Sequence, residues 1–212
     1  MGVGAGQTMI QVVRGVLHDQ RFSERYAQQM YRLRYKVFHE RLRWDVKVEN
    51  EMESDHFDDA HSVYVLLVDD QNDAVCGGWR LRPTTRHNML ADVFPQMLHG
   101  NPAPNHRRVW EISRFAIDTS ASERTAGFSM GEAARLMVQD LIRFCIDNDV
   151  TQCVLVTTLA VERLVNGTGL VLHRFGPPMR VGRALTVACW VDNDAHARHV
   201  LLGHPLPLRV AA

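Results

Sequence analysis

Between residues 109 and 158 the chain reads strand, helix, strand, and that order constrains the fold more than any other feature. Residues 109–117 form a β-type run, Val-Trp-Glu-Ile-Ser-Arg-Phe-Ala-Ile. Gly127 then leads into a strong helical stretch over about 129–148, with Ala133, Leu136, Met137, Leu141 and Phe144 along one face. Residues 154–158 are a short apolar strand. A βαβ-like unit of this kind lays its helix on a sheet.

The flanking segments extend that sheet. A strand-like run begins at Met9, and a helix is expected over 22–41, with Ser23 as N-cap and Glu24 just inside it. Phe22, Tyr26, Met30, Leu33 and Val37 recur at helical spacing and form its buried face, while Arg34 and Phe38 share a neighbouring one. Residues 62–68 and 75–81 read as strands joined by the polar turn 69–73. Residues 83–107 carry four prolines and read as irregular, and residues 45–61 as a solvated acidic loop. A shorter helix near 161–165, strands near 170–175 and 185–191, and a last helix over 194–202 complete the order. The fold class expected is α/β: a three-layer α/β/α sandwich with a mixed central sheet. A single domain is expected over 9–212, with residues 1–8 as a flexible extension.

Composition serves mainly to exclude. Lys plus Arg and Asp plus Glu number 24 each, so the formal net charge is zero. Bulk positive charge for nucleic acid is absent, and no run reaches the roughly 18 apolar residues a membrane span needs. Cys76, Cys145, Cys153 and Cys189 form no Cys-x-x-Cys pair and lie in apolar runs, as expected of buried thiols in a reducing cytoplasm. No secretory signal pattern opens the chain. His196 and His199 lack an acidic or Cys co-ligand, so no metal site is expected. There is no Gly-x-Ser-x-Gly elbow. Only Lys36 and Lys47 are lysines, so Arg carries almost all positive charge, which suits fixed bidentate pairing.

The most specific stretch is 33–58. It contains Arg34-x3-Phe38-x2-Arg41-x2-Trp44-x-Val46, then Glu53-x-Asp55-x-Phe57-Asp58. This resembles the signature of the acyl-homoserine-lactone synthases, the LuxI-type autoinducer synthases, at every position. Gly78-Trp79-Arg80-Leu81, Phe94-Pro95, Trp110-Glu111-Ile112-Ser113-Arg114-Phe115 and Arg174-Phe175-Gly176 extend the resemblance over roughly 9–202. The segments Leu98-His99-Gly100 and Gly127-Phe128-Ser129 look closest to a long-chain branch of the family. Arg124-Thr125-Ala126-Gly127-Phe128-Ser129 nearly matches the pyrophosphate loop of GCN5-related N-acyltransferases, departing at Ser129. The resemblance implies a GCN5-related N-acyltransferase-like fold. It also implies a reaction in which an acyl thioester acylates the α-amine of S-adenosylmethionine and the product lactonises, releasing methylthioadenosine. No tightly bound cofactor is implied; S-adenosylmethionine and the thioester are substrates. Acyl carrier protein is the expected partner, with acyl-CoA as the other donor, and a monomer is expected.

The residue chemistry can be read beside this. An α-amine titrates near pH 8 and must lose a proton before acylation, so Glu111 is the candidate base, with Ser113 on the same strand face and Arg114 beside them. The other reading of Glu111 is pairing with Arg80 or Arg114. Phe38 and Trp44 can pack on a sulfonium or be core aromatics. Arg34, Asp55, Asp58, Arg80 and Arg114 can form an ion-pair cluster that holds substrate or holds the N-terminal part together. Phe115, Gly127, Phe128, Met137, Leu141, Leu155, Thr157, Thr158 and Leu172 are candidates for the acyl chain and pantetheine arm, with a medium-to-long chain expected. In the family a threonine near Thr157 and Thr158 goes with a 3-oxo substituent. Arg143, Arg163, Arg174, Arg180 and Arg183 can face an acidic carrier protein or be solvated. The competing functions are a general acyl-CoA-dependent N-acyltransferase, which has no need of the 34–58 set, and a non-catalytic binding module.

Overall fold

The computed structural model describes residues 10–17, 19, 22, 24–120 and 128–205. Residues 1–9, Ser23 and the loop residues Arg124, Thr125, Ala126 and Gly127, each given a part above, lie outside them. The architecture is mixed α/β, as the order of elements predicts. The chain divides into two compact units, Met1–Arg80 with Arg114–Ala133, and Leu81–Ser113 with Ala134–Ala212.

The first unit contains β1 (Ile10–Gly15), α1 (Glu24–Arg34), the small hairpin of β2 (Val48–Glu49) and β3 (Met52–Glu53), β4 (Val63–Asp69), and most of β5 (Ala74–Pro83). It also takes the second half of β6 (Val109–Ile117). Strand order here is β1-β4-β5-β6, and β1 runs antiparallel to β4 from Ile10 opposite Asp69 to Gly15 opposite Tyr64. Glu24 in the first turn of α1 and Arg32 and Arg34 in the last complement the helix dipole. Its inner face, Met30 and Leu33, packs on Phe22, Tyr64, Leu66, Val68 and Ala116. Polar contacts fix its angle: Gln29 accepts from Val75 N at 2.7 Å and donates to Asp73 O at 3.1 Å, and the Tyr26 hydroxyl donates to Asp73 at 2.8 Å.

Two expectations change here. The helix expected over 22–41 is α-helical only to Arg34, and Tyr35–Arg41 continues it as a π-helix. Leu33, Arg34, Val37 and Phe38 are all buried, two adjacent stripes rather than one. A wider turn accommodates that, with Leu42 N bonding to Val37 O at 3.0 Å, five residues back. The acidic stretch 45–61 is not simply a solvated loop either. It forms the β2–β3 hairpin, and Glu53 at its end is fully buried.

In the second unit the first half of β6 pairs in parallel with β7 (Gln152–Thr158), Val109 opposite Gln152 through Ile112 opposite Leu155. The connection carries α3 (Met130–Asp147), the crossover helix expected from the sequence. β7 is antiparallel to β10 (Ala184–Asp192), which pairs with β8 (His173–Arg174) and β9 (Met179–Val181). The expected strand over 170–175 is only two residues long, and β9 was not anticipated. The proline-rich 83–107 is more ordered than expected. It holds α2 (Met89–Asp92), capped by Asn88, and a 3-10 turn (Pro95–Leu98). Leu90, Met97 and Leu98 from it pack with Val154 of β7 and Ala188 of β10. Last come α4 (Leu159–Asn166) and α5 (Ala195–Leu202), capped by Thr158 and Asp194. All four cysteines are free and buried, and Cys145 of α3 lies 3.6 Å from Cys153 of β7, sulfur to sulfur.

Candidate active site

The 34–58 signature folds into a buried ion cluster within the first unit. Arg34, the last residue of α1, donates through Nε to Glu53 at 2.5 Å and through both Nη atoms to Asp58 at 2.8 and 2.9 Å. Arg80 of β5 donates to both oxygens of Asp55, at 2.6 and 3.1 Å, and to Asp58 at 2.8 Å. Arg114 of β6 meets Glu53 at 2.9 Å and Asp55 at 2.7 Å. Three arginines thus face three carboxylates. The third carboxylate is Glu53, which the sequence reading left in the motif without a role. The loop aims the acids inward by bonding to itself: Asp58 accepts from Asp55 N at 2.8 Å, and Asp55 from Phe57 N at 2.9 Å. Tyr64 adds a hydroxyl bond to Asp58 at 2.8 Å.

The cluster is nearly sealed. Side chains of Arg34 and Arg80 are 2% and 0% exposed, and Asp58 3%. Only Arg114 at 9% and Asp55 at 13% reach its edge. A cavity of about 10 Å³ beside Met30, Leu33, Arg34 and Gly78 has room for a single water. Burial opposes ionisation of Asp58, but the charge and bonds of Arg34, with Arg80, outweigh it and hold its carboxyl well below the usual range. Asp55 is also lowered: burial is outweighed by Arg80, then Arg114. For Arg114 the balance reverses, and burial pulls its guanidinium below the usual range despite Glu53. Arg114 sits at the accessible edge of the cluster.

Two aromatic residues of the signature adjoin that edge. Phe38 and Trp44 stack at 5.3 Å and 8° between planes, and the Arg114 guanidinium lies 5.4 Å above the Phe38 ring. Phe38 is buried in the α1 core, whereas Trp44 is partly exposed.

In the second unit Glu111 of β6 is 1% exposed. Its two oxygens accept from Met89 N at 3.0 Å and Leu90 N at 2.6 Å, the first amides of α2. Glu111 is therefore tied to the start of a helical turn, a contact that neither sequence reading of this residue anticipated. A bond from residue 111 back to 89 has no periodic signature. Ser113, two residues along β6, is buried as well.

The expected acyl-chain residues Met137, Leu141, Leu155, Thr157 and Leu172 are all buried in the second unit. Thr157 and Thr158 do not share a face. Successive strand residues alternate, so Thr157 lies with Leu155 and with Cys153, which touches α3. Thr158 points to the other side and caps α4, its hydroxyl accepting from Val161 N at 3.3 Å. In the first unit Phe128 is buried and Phe115 packs on Trp79, centroids 6.0 Å apart.

Among the arginines expected to face a carrier protein, Arg143, Arg163, Arg174, Arg180 and Arg183 are all exposed. Arg174 differs in having a partner: both its Nε and Nη2 donate to Glu162 at 2.6 Å. Among the described residues no group of three or more His, Cys, Asp or Glu side chains is placed to hold a metal ion, and no helix is long and apolar enough to cross a membrane.

Comparison with known proteins places the chain in a family. The family described as autoinducer synthase matches residues 18–201. An acyl-homoserine-lactone synthase of Pseudomonas aeruginosa is 38% identical over 183 residues, covering 86% of this chain and 90% of its own. The crystal structure of the synthase LasI superposes with a TM-score of 0.81 at 35% identity, over 95% of this chain and 98% of that one. The structure of BjaI, described as a CoA-dependent acyl-homoserine lactone synthase with SAM and isopentyl-CoA, gives 0.77 at 28% identity, over 93% and 90%. At 16% identity, an N-acetyltransferase of Lactobacillus plantarum (TM-score 0.56, covering 86% and 97%) shares the fold.

Proposed function

The chain belongs to the autoinducer synthase family as an acyl-homoserine-lactone synthase, an acyltransferase, and from that premise we propose how its residues divide the work. The thioester carbonyl is attacked by the α-amine of S-adenosylmethionine, forming the amide and releasing the thiol. The methionyl carboxylate then attacks its own γ-carbon, breaking the C–S bond, closing the lactone and releasing methylthioadenosine.

Glu111 takes the amine proton, directly or through a water. Its two oxygens already accept from the backbone amides of Met89 and Leu90, which fix the carboxylate's position. Ser113 orients that water or the thioester. Arg34, Arg80 and Asp58 are too enclosed to touch a substrate and form the site's rigid floor. Arg114 and Asp55, at the accessible edge, meet the charged groups of S-adenosylmethionine, and Trp44 with Phe38 packs against its sulfonium. Met137, Leu141, Leu155 and Leu172 line the place of a medium-to-long acyl chain, Thr157 reads a 3-oxo group on it, and Phe115, Gly127 and Phe128 serve the pantetheine end. The donor is acyl carrier protein, docking on Arg143, Arg163, Arg180 and Arg183. Acyl-CoA is the second candidate, because BjaI is described as CoA-dependent. Four free, buried thiols support a reducing compartment, the cytoplasm.

The observation that most supports this reading is the closed set of three arginines and three carboxylates built from the 34–58 signature, with its one accessible edge at Arg114. The test is incubation with S-adenosylmethionine and acyl or 3-oxoacyl thioesters of graded length, on carrier protein and on CoA. Mass spectrometry should find both acyl-homoserine lactone and methylthioadenosine. Acylation of other amines without methylthioadenosine would replace this reading with a general N-acyltransferase.

A further inference from the structure

Cys145 lies in the last turn of α3, which ends at Asp147, and Cys153 is the second residue of β7. Their sulfurs are 3.6 Å apart, one thiol donating to the other. The connection between them is short and tied down. Val150 N bonds to Cys145 O at 2.8 Å, Asn148 N bonds to Phe144 O at 3.0 Å, and Asp149 takes a left-handed φ of 54° in the turn. Cys153 is fixed from the sheet side by its register between Trp110 of β6 and Val191 of β10. Both cysteines belong to the second unit.

The other two thiols are placed differently: Cys76 donates to Leu67 O at 3.4 Å, and Cys189 lies opposite Arg174 of β8. A disulfide needs its sulfurs about 2.0 Å apart, so the contact at 3.6 Å leaves about 1.5 Å for two side chains to share. The fold already holds their backbones together. The bond from Cys145, and then burial, keep the Cys153 thiol well above its ordinary range, so the pair rests protonated. The thiolate is the reactive form. The pair therefore reacts through the local openings that fray a helix end.

We propose that Cys145 and Cys153 are a reversible redox site, which a small hydroperoxide converts to an intramolecular disulfide. One thiolate attacks the peroxide: an S–O bond forms, the O–O bond breaks, and a sulfenic acid and water or an alcohol result. The second sulfur attacks the first: the S–S bond forms, the S–O bond breaks, and water leaves. The two thiols give up two hydrogens and two electrons, and the peroxide is reduced. Contact between the sulfurs closes the sulfenic acid before it takes up more oxygen irreversibly. Small reducing thiols reverse the bond by exchange. When closed, it joins α3 to β7 beside Leu141, one turn before Cys145, and Leu155, on the strand face of Cys153.

The test treats the folded native protein with hydrogen peroxide in the presence of a chelator, removes the peroxide with catalase, then unfolds and alkylates. Trypsin releases residues 144–163 as one peptide carrying both cysteines, because no Lys or Arg lies between Phe144 and Glu162. That peptide should lose two hydrogens and refuse alkylation at doses that leave Cys76 and Cys189 alkylatable, and dithiothreitol should restore both sites. A pair that stays alkylatable overturns the proposal. So does one that gains oxygen instead, or that closes only at doses that also consume Cys76 and Cys189. Hydrogen exchange gives a second readout. The amide of Val150, bonded to Cys145 O, should exchange no faster in the oxidised protein; faster exchange would mean that the bond forms only by breaking the turn, which overturns a preformed site. Cys145→Ser should form no disulfide at the same dose, and pairing of Cys153 with another cysteine in that variant overturns the assignment of its partner. None of these readouts involves lactone formation, so their failure would leave the functional reading standing.

Discussion

Arg34 and Asp58 are 24 residues apart and share a bidentate pair that neither can find elsewhere once buried. Removing one member of such a cluster strands its partner's charge, so Arg34→Met should cost about 3–5 kcal/mol, read as a drop in the urea midpoint. The same cluster sets an acid limit. Asp55 and Asp58 are held below the ordinary carboxylate range in the folded state. Their contribution is therefore full above an unfolded value near 3.9 and is lost as pH falls toward the folded values. The urea midpoint should fall steeply below about pH 4, and Asp58→Asn should flatten that fall. Glu111 is a different case, because its carboxylate both holds α2 and is the proposed base. Glu111→Gln presents an NH2 where two backbone amides need acceptors. We expect kcat to drop by about 10²–10⁴, together with faster hydrogen exchange at Met89 and Leu90. A drop in kcat without the exchange change would leave catalysis as its only role.

At the scale of elements, most of the regular structure was legible because it is periodic. The strand at Val109–Ile117 has the bounds its residues suggested, and the crossover helix differs by one residue at each end. The π-helix was not legible: the pairs Leu33–Val37 and Arg34–Phe38, each four residues apart, fit an ordinary α-helix equally well. Nor was the role of the acidic stretch, since hydropathy treats a carboxylate as solvated until arginines from other strands are known to reach it. The end of β7 shows how one residue of register separates two neighbouring threonines. Thr158 caps α4, so Thr158→Val should cost about 0.5–2 kcal/mol in thermal or urea unfolding and leave chain selectivity alone. Thr157→Val should do the reverse, lowering kcat/KM for 3-oxo substrates relative to plain ones with little change in stability.

At the scale of the whole molecule, equal counts of 24 acids and 24 bases conceal an uneven arrangement. The buried cluster is neutral in itself, and Arg174, though exposed, is matched by Glu162, leaving Arg143, Arg163, Arg180 and Arg183 as the other exposed arginines of the set. If these dock a carrier, reversing Arg163 and Arg180 to Glu should raise KM for the carrier-bound thioester several-fold, more at low salt than at high. The KM values for S-adenosylmethionine and acyl-CoA should not move; equal effects on all three would remove the docking role. What the sequence by itself determined was the family, the succession of strands and helices, and the residue types at the site, because motif spacing and periodicity are local properties of the chain. Only the tertiary structure decided which charge meets which. Glu53 completes the arginine cluster, and Arg174, at the surface, is matched by Glu162. These pairings join residues up to about 60 positions apart, and burial makes them obligatory, since a charge or N–H withdrawn from water must find its partner wherever the fold places one.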